Sequence, residues 1–241
     1  MKKLLIVNVG SAPKSQLSKF GDFELWAKQA IGATTLEIEF HDGIANPLPK
    51  PHLLAGVIIM GSLSMVTEET NWMKRLAAEV VQLAELNVPT LGICFGHQLI
   101  SYAFGGEVDF NPNGLEVGTV NISRLTSSKD DPLLSQLPEH FHAQAVHFQS
   151  VLALPKQAVR LAQSNLDQNH VFRVGECTWG VQFHPEFTPD IMLDVLENFQ
   201  EELGEAQIEA KKQQVTSTPH AQQILKRFSR LCLAKHDTRH G

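Results

Sequence analysis

The chain has 241 residues, 43% of them apolar, and a formal net charge of −6, which suits one large domain or one domain with an appendage. The acidic balance and the lack of a basic cluster argue against nucleic acid, and no run approaches the roughly 20 apolar residues of a membrane span. Cys94, Cys177 and Cys232 are far apart and lack CxxC spacing, so neither a disulfide framework nor a cysteine zinc site is expected. A reducing cytoplasm is the expected location.

Leu4 to Val9 reads as a buried strand, its apolar run too short for a secretory leader. Gly10 to Ser15 lacks the spacing of a phosphate loop and reads as a plain strand-to-helix connection. Phe20, Phe23, Leu25, Trp26 and Ile31 supply a helix face, and the β-branched, alternating stretch Thr34 to Phe40 a second strand. His41-Asp42-Gly43 with Pro47, Pro49 and Pro51 makes a loop. Gly56 to Gly61 is apolar at consecutive positions, as in a strand covered on both faces. Glu68 to Leu86 carries Trp72, Leu76, Val80, Leu83 and Leu86 at helical spacing, and Val88 to Ile93 is the fourth strand.

The second half changes character. Val117–Ile122, Val159–Ala162, His170–Val174 and Gly180–His184 are short strands that suggest an antiparallel extension. Asp190 to Leu203 starts as an amphipathic helix. From residue 204 the chain turns polar, with a second apolar stripe at Ile224, Leu225, Phe228, Leu231 and Leu233. Residues 1–203 are expected to form the catalytic domain and 204–241 a partly helical appendage. Alternating strands and helices predict an α/β fold, a doubly wound, mostly parallel sheet flanked by helices, with the site at the strands' carboxyl ends.

That edge has a candidate nucleophile. In Gly92-Ile93-Cys94-Phe95-Gly96 a strand arrives at Cys94 and a helix leaves it, the spacing of a nucleophile elbow with sulfur in place of a hydroxyl. The helix N-terminus favours thiolate over thiol. A cysteine nucleophile needs a base, and the base an orienting group. Gly180-Val181-Gln182-Phe183-His184-Pro185-Glu186 offers His184 at a strand end and Glu186 close enough to accept from its ring. Cys177 and Cys232 lack such framing and read as structural. His140-x-His142 with nearby His147 lacks a complete ligand set, so no metal is expected.

Together these two motifs resemble the class I, triad-type glutamine amidotransferases, and are similar to the stand-alone domains related to the glutaminase part of GMP synthase. The resemblance covers roughly residues 1–200. It implies the flavodoxin-like fold of that family and a Cys94–His184–Glu186 triad that hydrolyses a γ-glutamyl amide through a thioester, without a cofactor. It implies a pocket position for Gln98 and oxyanion donors at the N–H groups of Phe95 and Ser62. Relatives carry Gly-Gly-Pro where this chain has Gly61-Ser62-Leu63, and some γ-glutamyl peptidases carry Gly-Ser there. Asn111 to Gly118 matches a segment near the pocket, where Glu116 is expected to meet a substrate amine. His147-Phe148-Gln149-Ser150 lies where relatives have His-x-Asp, so His147, Gln149 and Ser150 are expected beside the substrate carboxylate.

Three functions stand as alternatives. The first is a glutaminase that passes ammonia to a separate synthetase chain. The second is a free-standing γ-glutamyl peptidase, and the third a regulatory module with weak turnover.

Overall fold

The computed structural model describes residues 2–237. β1 (Lys3–Asn8) leads through two short helices, α1 (Lys14–Phe20) and α2 (Phe23–Ile31), to β2 (Glu37–Asp42) and β3 (Leu54–Ile59). α3 (Asn71–Glu85), β4 (Thr90–Ile93) and α4 (Phe95–Ala103) come next. The strands β5 (Glu107–Phe110), β6 (Glu116–Arg124), β7 (His140–His147) and β8 (Gln149–Ala153) open the second half. β9 (Ala158–Gln163), β10 (Val171–Val174) and β11 (Thr178–Val181) complete the strands, and four helices end the described chain: α5 (Pro189–Glu197), α6 (Gln200–Leu203), α7 (Glu205–Gln214) and α8 (Pro219–Asp237).

Nine strands form one sheet in the order β2-β1-β3-β4-β11-β10-β9-β6-β7. β2, β1, β3, β4 and β11 are parallel, and β10, β9, β6 and β7 join antiparallel, the expected extension. β5 and β8 pair in a small separate sheet. All six residues of β3 and all four of β4 are buried, which explains their unbroken apolar runs. One face packs under α2, α5 and α8, the other under α3 and α4.

Several elements differ from the sequence reading. The single helix expected over Phe20–Ile31 is split by Gly21, whose φ of 83° ends α1, while Asp22 caps α2 by accepting from the Phe23 N–H. β2 runs through His41 and Asp42, which read as loop. α3 starts at Asn71 because a 3₁₀ turn, Val66–Glu68, precedes it. Leu86 lies beyond the helix and is exposed. β5, β7 and β8 have no counterpart in the sequence reading.

The polar tail also behaves as part of the core. α8 buries Ala221, Ile224, Leu225, Phe228 and Cys232 completely against the sheet. Gly56 leaves room for it, since a Cβ there would lie 2.2 Å from the Cys232 sulfur. Arg227 ties the helix to the Pro132 and Leu133 carbonyls.

Candidate active site

β4 is flanked by the parallel strands β3 and β11, so its carboxyl end opens at the centre of the sheet edge. Cys94 stands there with φ 50° and ψ −100°, a conformation rare for a residue with a side chain. Two glycines make the turn possible. A Cβ on Gly92 would lie 2.3 Å from the Gly96 backbone, and one on Gly96 would lie 2.4 Å from the Ile59 carbonyl oxygen. The Cys94 N–H is held by the Val181 carbonyl at 2.9 Å, and α4 begins at the next residue. Its sulfur faces the Val146 carbonyl at 3.7 Å.

His184 comes after β11 and pairs with β7 by an isolated bridge, its N–H donating to the Gln144 carbonyl at 2.8 Å. Its Nδ1 lies 2.7 Å from Glu186 Oε1, and the Phe187 ring stacks on it at 4.1 Å. Gly61 packs beside both reactive groups: a Cβ on it would lie 3.0 Å from His184 Cε1 and 3.7 Å from Cys94 Cβ. Burial opposes a charge on the ring. The Glu186 carboxylate and the neighbouring Cys94 sulfur outweigh it, and push the His184 pKa up to about 10. The Nε2 nitrogen has no hydrogen-bond partner among the described residues.

These groups open on a cavity of about 210 Å³. Ser62, Leu63 and Met65 line it together with Val146 to Gln149 and the apolar side chains of Phe23, Val195 and Phe199. Ser62 lacks the positive φ that would demand glycine, and its hydroxyl donates to the Val9 carbonyl at 2.7 Å. A Gly-to-Ser change is therefore accommodated without backbone strain.

A model of the class-I glutamine amidotransferase family matches residues 35–203. The chain belongs to that family. γ-Glutamyl peptidase 4 of Arabidopsis thaliana is 31% identical over 144 residues, 59% of this chain and 57% of the peptidase. The glutamine-hydrolysing GMP synthase of Phocaeicola vulgatus is 31% identical over 186 residues, 74% of this chain and 34% of the synthase. The match thus spans little more than half of one relative and about a third of the other. A putative GMP synthase subunit from Thermoplasma acidophilum superposes with a TM-score of 0.71 at 18% identity, covering 100% of this chain and 98% of the other. A glutamine amidotransferase from Thermotoga maritima superposes at 0.70 and 18% identity, over 97% of both chains. At such identity the likeness establishes the fold, the doubly wound sheet of this amidotransferase class.

Within that fold the anticipated pocket residues divide. Gln98, His147 and Gln149 line the cavity with Cys94, His184, Phe95 and Ser62. Gln98 Nε2 donates to the Gln149 carbonyl at 2.8 Å and to Gln182 Oε1 at 3.0 Å, so it braces the wall. Gln149 Nε2 is tied to Thr67 Oγ1 at 2.7 Å. Glu116 and Ser150 do not reach the cavity. Glu116 is buried behind the wall, where His147 and His170 share its Oε2 at 2.8 and 2.9 Å and Ser164 donates to Oε1 at 2.7 Å. These three side chains hold its carboxylate away from the cavity that Cys94 lines. Ser150 Oγ sits 3.3 Å from His147 Nδ1, also behind the wall. Phe187, Gln182, Thr67, His170 and Ser164 were not singled out as site residues by the sequence. Among them only Gln182 and Phe187, inside or beside the Gly180–Glu186 motif, had a sequence signal.

Proposed function

We propose that this chain hydrolyses the side-chain amide of glutamine or of a γ-glutamyl conjugate through a γ-glutamyl thioester on Cys94. The observation that carries the reading is the meeting, on one cavity, of an elbow cysteine held at φ 50° and a histidine charged by Glu186. An imidazolium beside sulfur favours the thiolate, the nucleophilic form. Cys94 Sγ attacks the γ-carbonyl carbon, and the N–H groups of Phe95 and Ser62 receive the developing oxyanion. His184 gives its proton to the leaving nitrogen, and the C–N bond breaks to the thioester. His184 then takes a proton from water as the hydroxyl adds, and collapse expels the Cys94 thiolate and releases glutamate. Glu186 orients the ring and balances its charge in both steps.

Ammonia would pass to an acceptor site on a separate chain, a role supported by the relatives named as glutamine-hydrolysing GMP synthases. The γ-glutamyl peptidase reading is favoured by Phe23, Val195 and Phe199, which add apolar lining to the cavity, suited to a larger leaving group. Cytoplasmic location is part of the same proposal, and among the described residues no helix is long and apolar enough to cross a membrane. Purified protein incubated with glutamine, and separately with γ-glutamyl dipeptides, tests the reading through ammonia and glutamate release, with Cys94→Ala as control. Glutamine turnover that Cys94→Ala abolishes supports the glutaminase. Dipeptide cleavage alone supports the peptidase, and silence on both, also with a co-purifying chain present, leaves the regulatory module.

A further inference from the structure

The cavity at Cys94 holds a buried polar side chain that the triad and its bracing leave unused. Gln16, in α1, is 2% exposed and lines the cavity. Its backbone N–H donates to the Pro13 carbonyl at 2.9 Å, and its side-chain amide has no hydrogen-bond partner among the described residues. The other cavity glutamines differ: the Gln149 carbonyl and Gln182 hold Gln98 Nε2, and Thr67 holds Gln149 Nε2. A carboxamide carries two N–H donors and a carbonyl acceptor, and leaving them unpaired away from water costs free energy. A ligand that pairs them recovers that cost.

The elements tied to α1 bring apolar side chains to the same cavity. The Lys19–Asp194 ion pair joins α1 to α5, and Val195 and Phe199 follow on that side of the chain. Trp26 Nε1 donates to the Phe20 carbonyl at 2.8 Å and joins α2 to the end of α1, while Phe23 of α2 lines the cavity. Among the described residues, no Arg, Lys, Asp or Glu lines it. Gln16 therefore adds a neutral donor and acceptor to an otherwise apolar group of residues.

Glutamine and a γ-glutamyl peptide share their glutamyl half and differ in what leaves. Ammonia offers nothing for Phe23, Val195 and Phe199 to meet, and the glutamyl half offers only a short methylene chain before its charged end. The leaving nitrogen takes its proton from His184 in the proposed mechanism, so the leaving residue departs beside that ring. Phe187 stacks on His184 at 4.1 Å, Trp26 meets Phe187 edge-on at 5.6 Å, and Phe23 meets Trp26 edge-on at 5.2 Å. This series of rings links the apolar lining to the group that serves the leaving nitrogen.

We propose that Gln16 determines specificity for the leaving group: it hydrogen-bonds the neutral amide that follows an apolar leaving residue. The substrate class is a γ-glutamyl peptide whose second residue is apolar and is itself amide-linked or amidated, which rests on the γ-glutamyl reading of the function. Gln16 Nε2 donates to the carbonyl of that amide, and Oε1 accepts from its N–H. Phe23, Val195 and Phe199 receive the apolar side chain. A charged leaving residue would meet no opposite charge in this lining.

Calorimetric titration of the Cys94→Ala chain tests this by binding alone. Hydrolysis by wild-type protein judges the hydrolase reading separately, so either can fail without the other. γ-Glutamylleucinamide should bind about tenfold more tightly than glutamine. It should also bind about tenfold more tightly than γ-glutamyl-isopentylamide, which lacks only the carboxamide. Gln16→Leu in the same background should lower the leucinamide affinity about tenfold and leave those two ligands equal, because donor and acceptor form one pair. Equal binding of the two before that substitution overturns the proposal, as does glutamine binding as tightly as the leucinamide. A preference that persists in Gln16→Leu protein that melts cooperatively overturns it too. If that variant does not fold, Gln16 itself gives the answer: its side-chain ¹⁵N-amide resonances should shift with the leucinamide and not with the isopentylamide. Absence of that difference overturns the assignment.

Discussion

His184 Nδ1 and Glu186 Oε1 lie 2.7 Å apart across a single proline, with both side chains buried. Glu186, together with the neighbouring Cys94 sulfur, raises the folded pKa of His184 to about 10, above the ordinary value of 6.5. A raised pKa contributes stability in full below about pH 6.5, and that contribution is lost as pH rises through about 10. The wild-type melting temperature should fall across this window. Glu186→Gln should flatten the dependence and cost about 3 kcal/mol near neutral pH, because it leaves the ring without its counter-charge. Thermal melts at a series of pH values read both effects, and an equally steep fall in the variant would count against the pair.

The elbow glycines give a second expectation. A methyl group on Gly96 would press within 2.4 Å of the Ile59 carbonyl oxygen, which is backbone and has little freedom to yield. Gly96→Ala should destabilise the fold by about 3 kcal/mol in urea unfolding. Folded variant should also lose about 10²-fold in kcat/KM, since a small displacement of a nucleophile is costly. Wild-type stability in Gly96→Ala would show that the turn relaxes in a way the present packing does not suggest.

What was legible in the sequence was chemistry written locally. Glycines two residues either side of Cys94 announce the turn, and unbroken apolar runs announce β3 and β4, because each demand falls on neighbouring residues. The Glu116 cluster was not legible for the opposite reason. His147, Ser164 and His170 reach Glu116 from 31, 48 and 54 residues away, and nothing in the local pattern links them. A surface acid and a buried, saturated one look alike until the strands are paired. The stripe of α8 is local in the same way as the elbow: Ile224, Leu225 and Phe228 recur at helical spacing among Gln, Lys and Arg, and that face covers the sheet.

Ser62 separates two roles that glycine would merge. Its hydroxyl donates to the Val9 carbonyl at 2.7 Å and accepts from the Ser64 N–H at 3.1 Å, while its own N–H is the proposed oxyanion donor. Ser62→Ala should cost about 1 kcal/mol of stability and leave the acylation rate within severalfold. Ser62→Pro, which removes the N–H, should lower kcat about 10²–10³-fold in protein that still melts cooperatively. If Ser62→Pro acylates at the wild-type rate, the second donor must be sought elsewhere.

Removal of α8 should unfold the whole domain. Ile224, Leu225, Phe228 and Cys232 are completely buried on the sheet face, beside Leu91 and Trp179 in the same core. Each large side chain contributes about 1.5–3 kcal/mol on burial. Loss of the three largest alone amounts to about 5–9 kcal/mol, comparable with the total stability of a typical domain. Deletion also uncovers the sheet surface that these residues protect, leaving an apolar patch open to association. A chain ended at residue 217 should therefore accumulate as aggregate, or as soluble protein without a cooperative melt by circular dichroism. A soluble fragment that melts cooperatively and still labels at Cys94 would mean that residues 218–241 are separable from the rest of the domain.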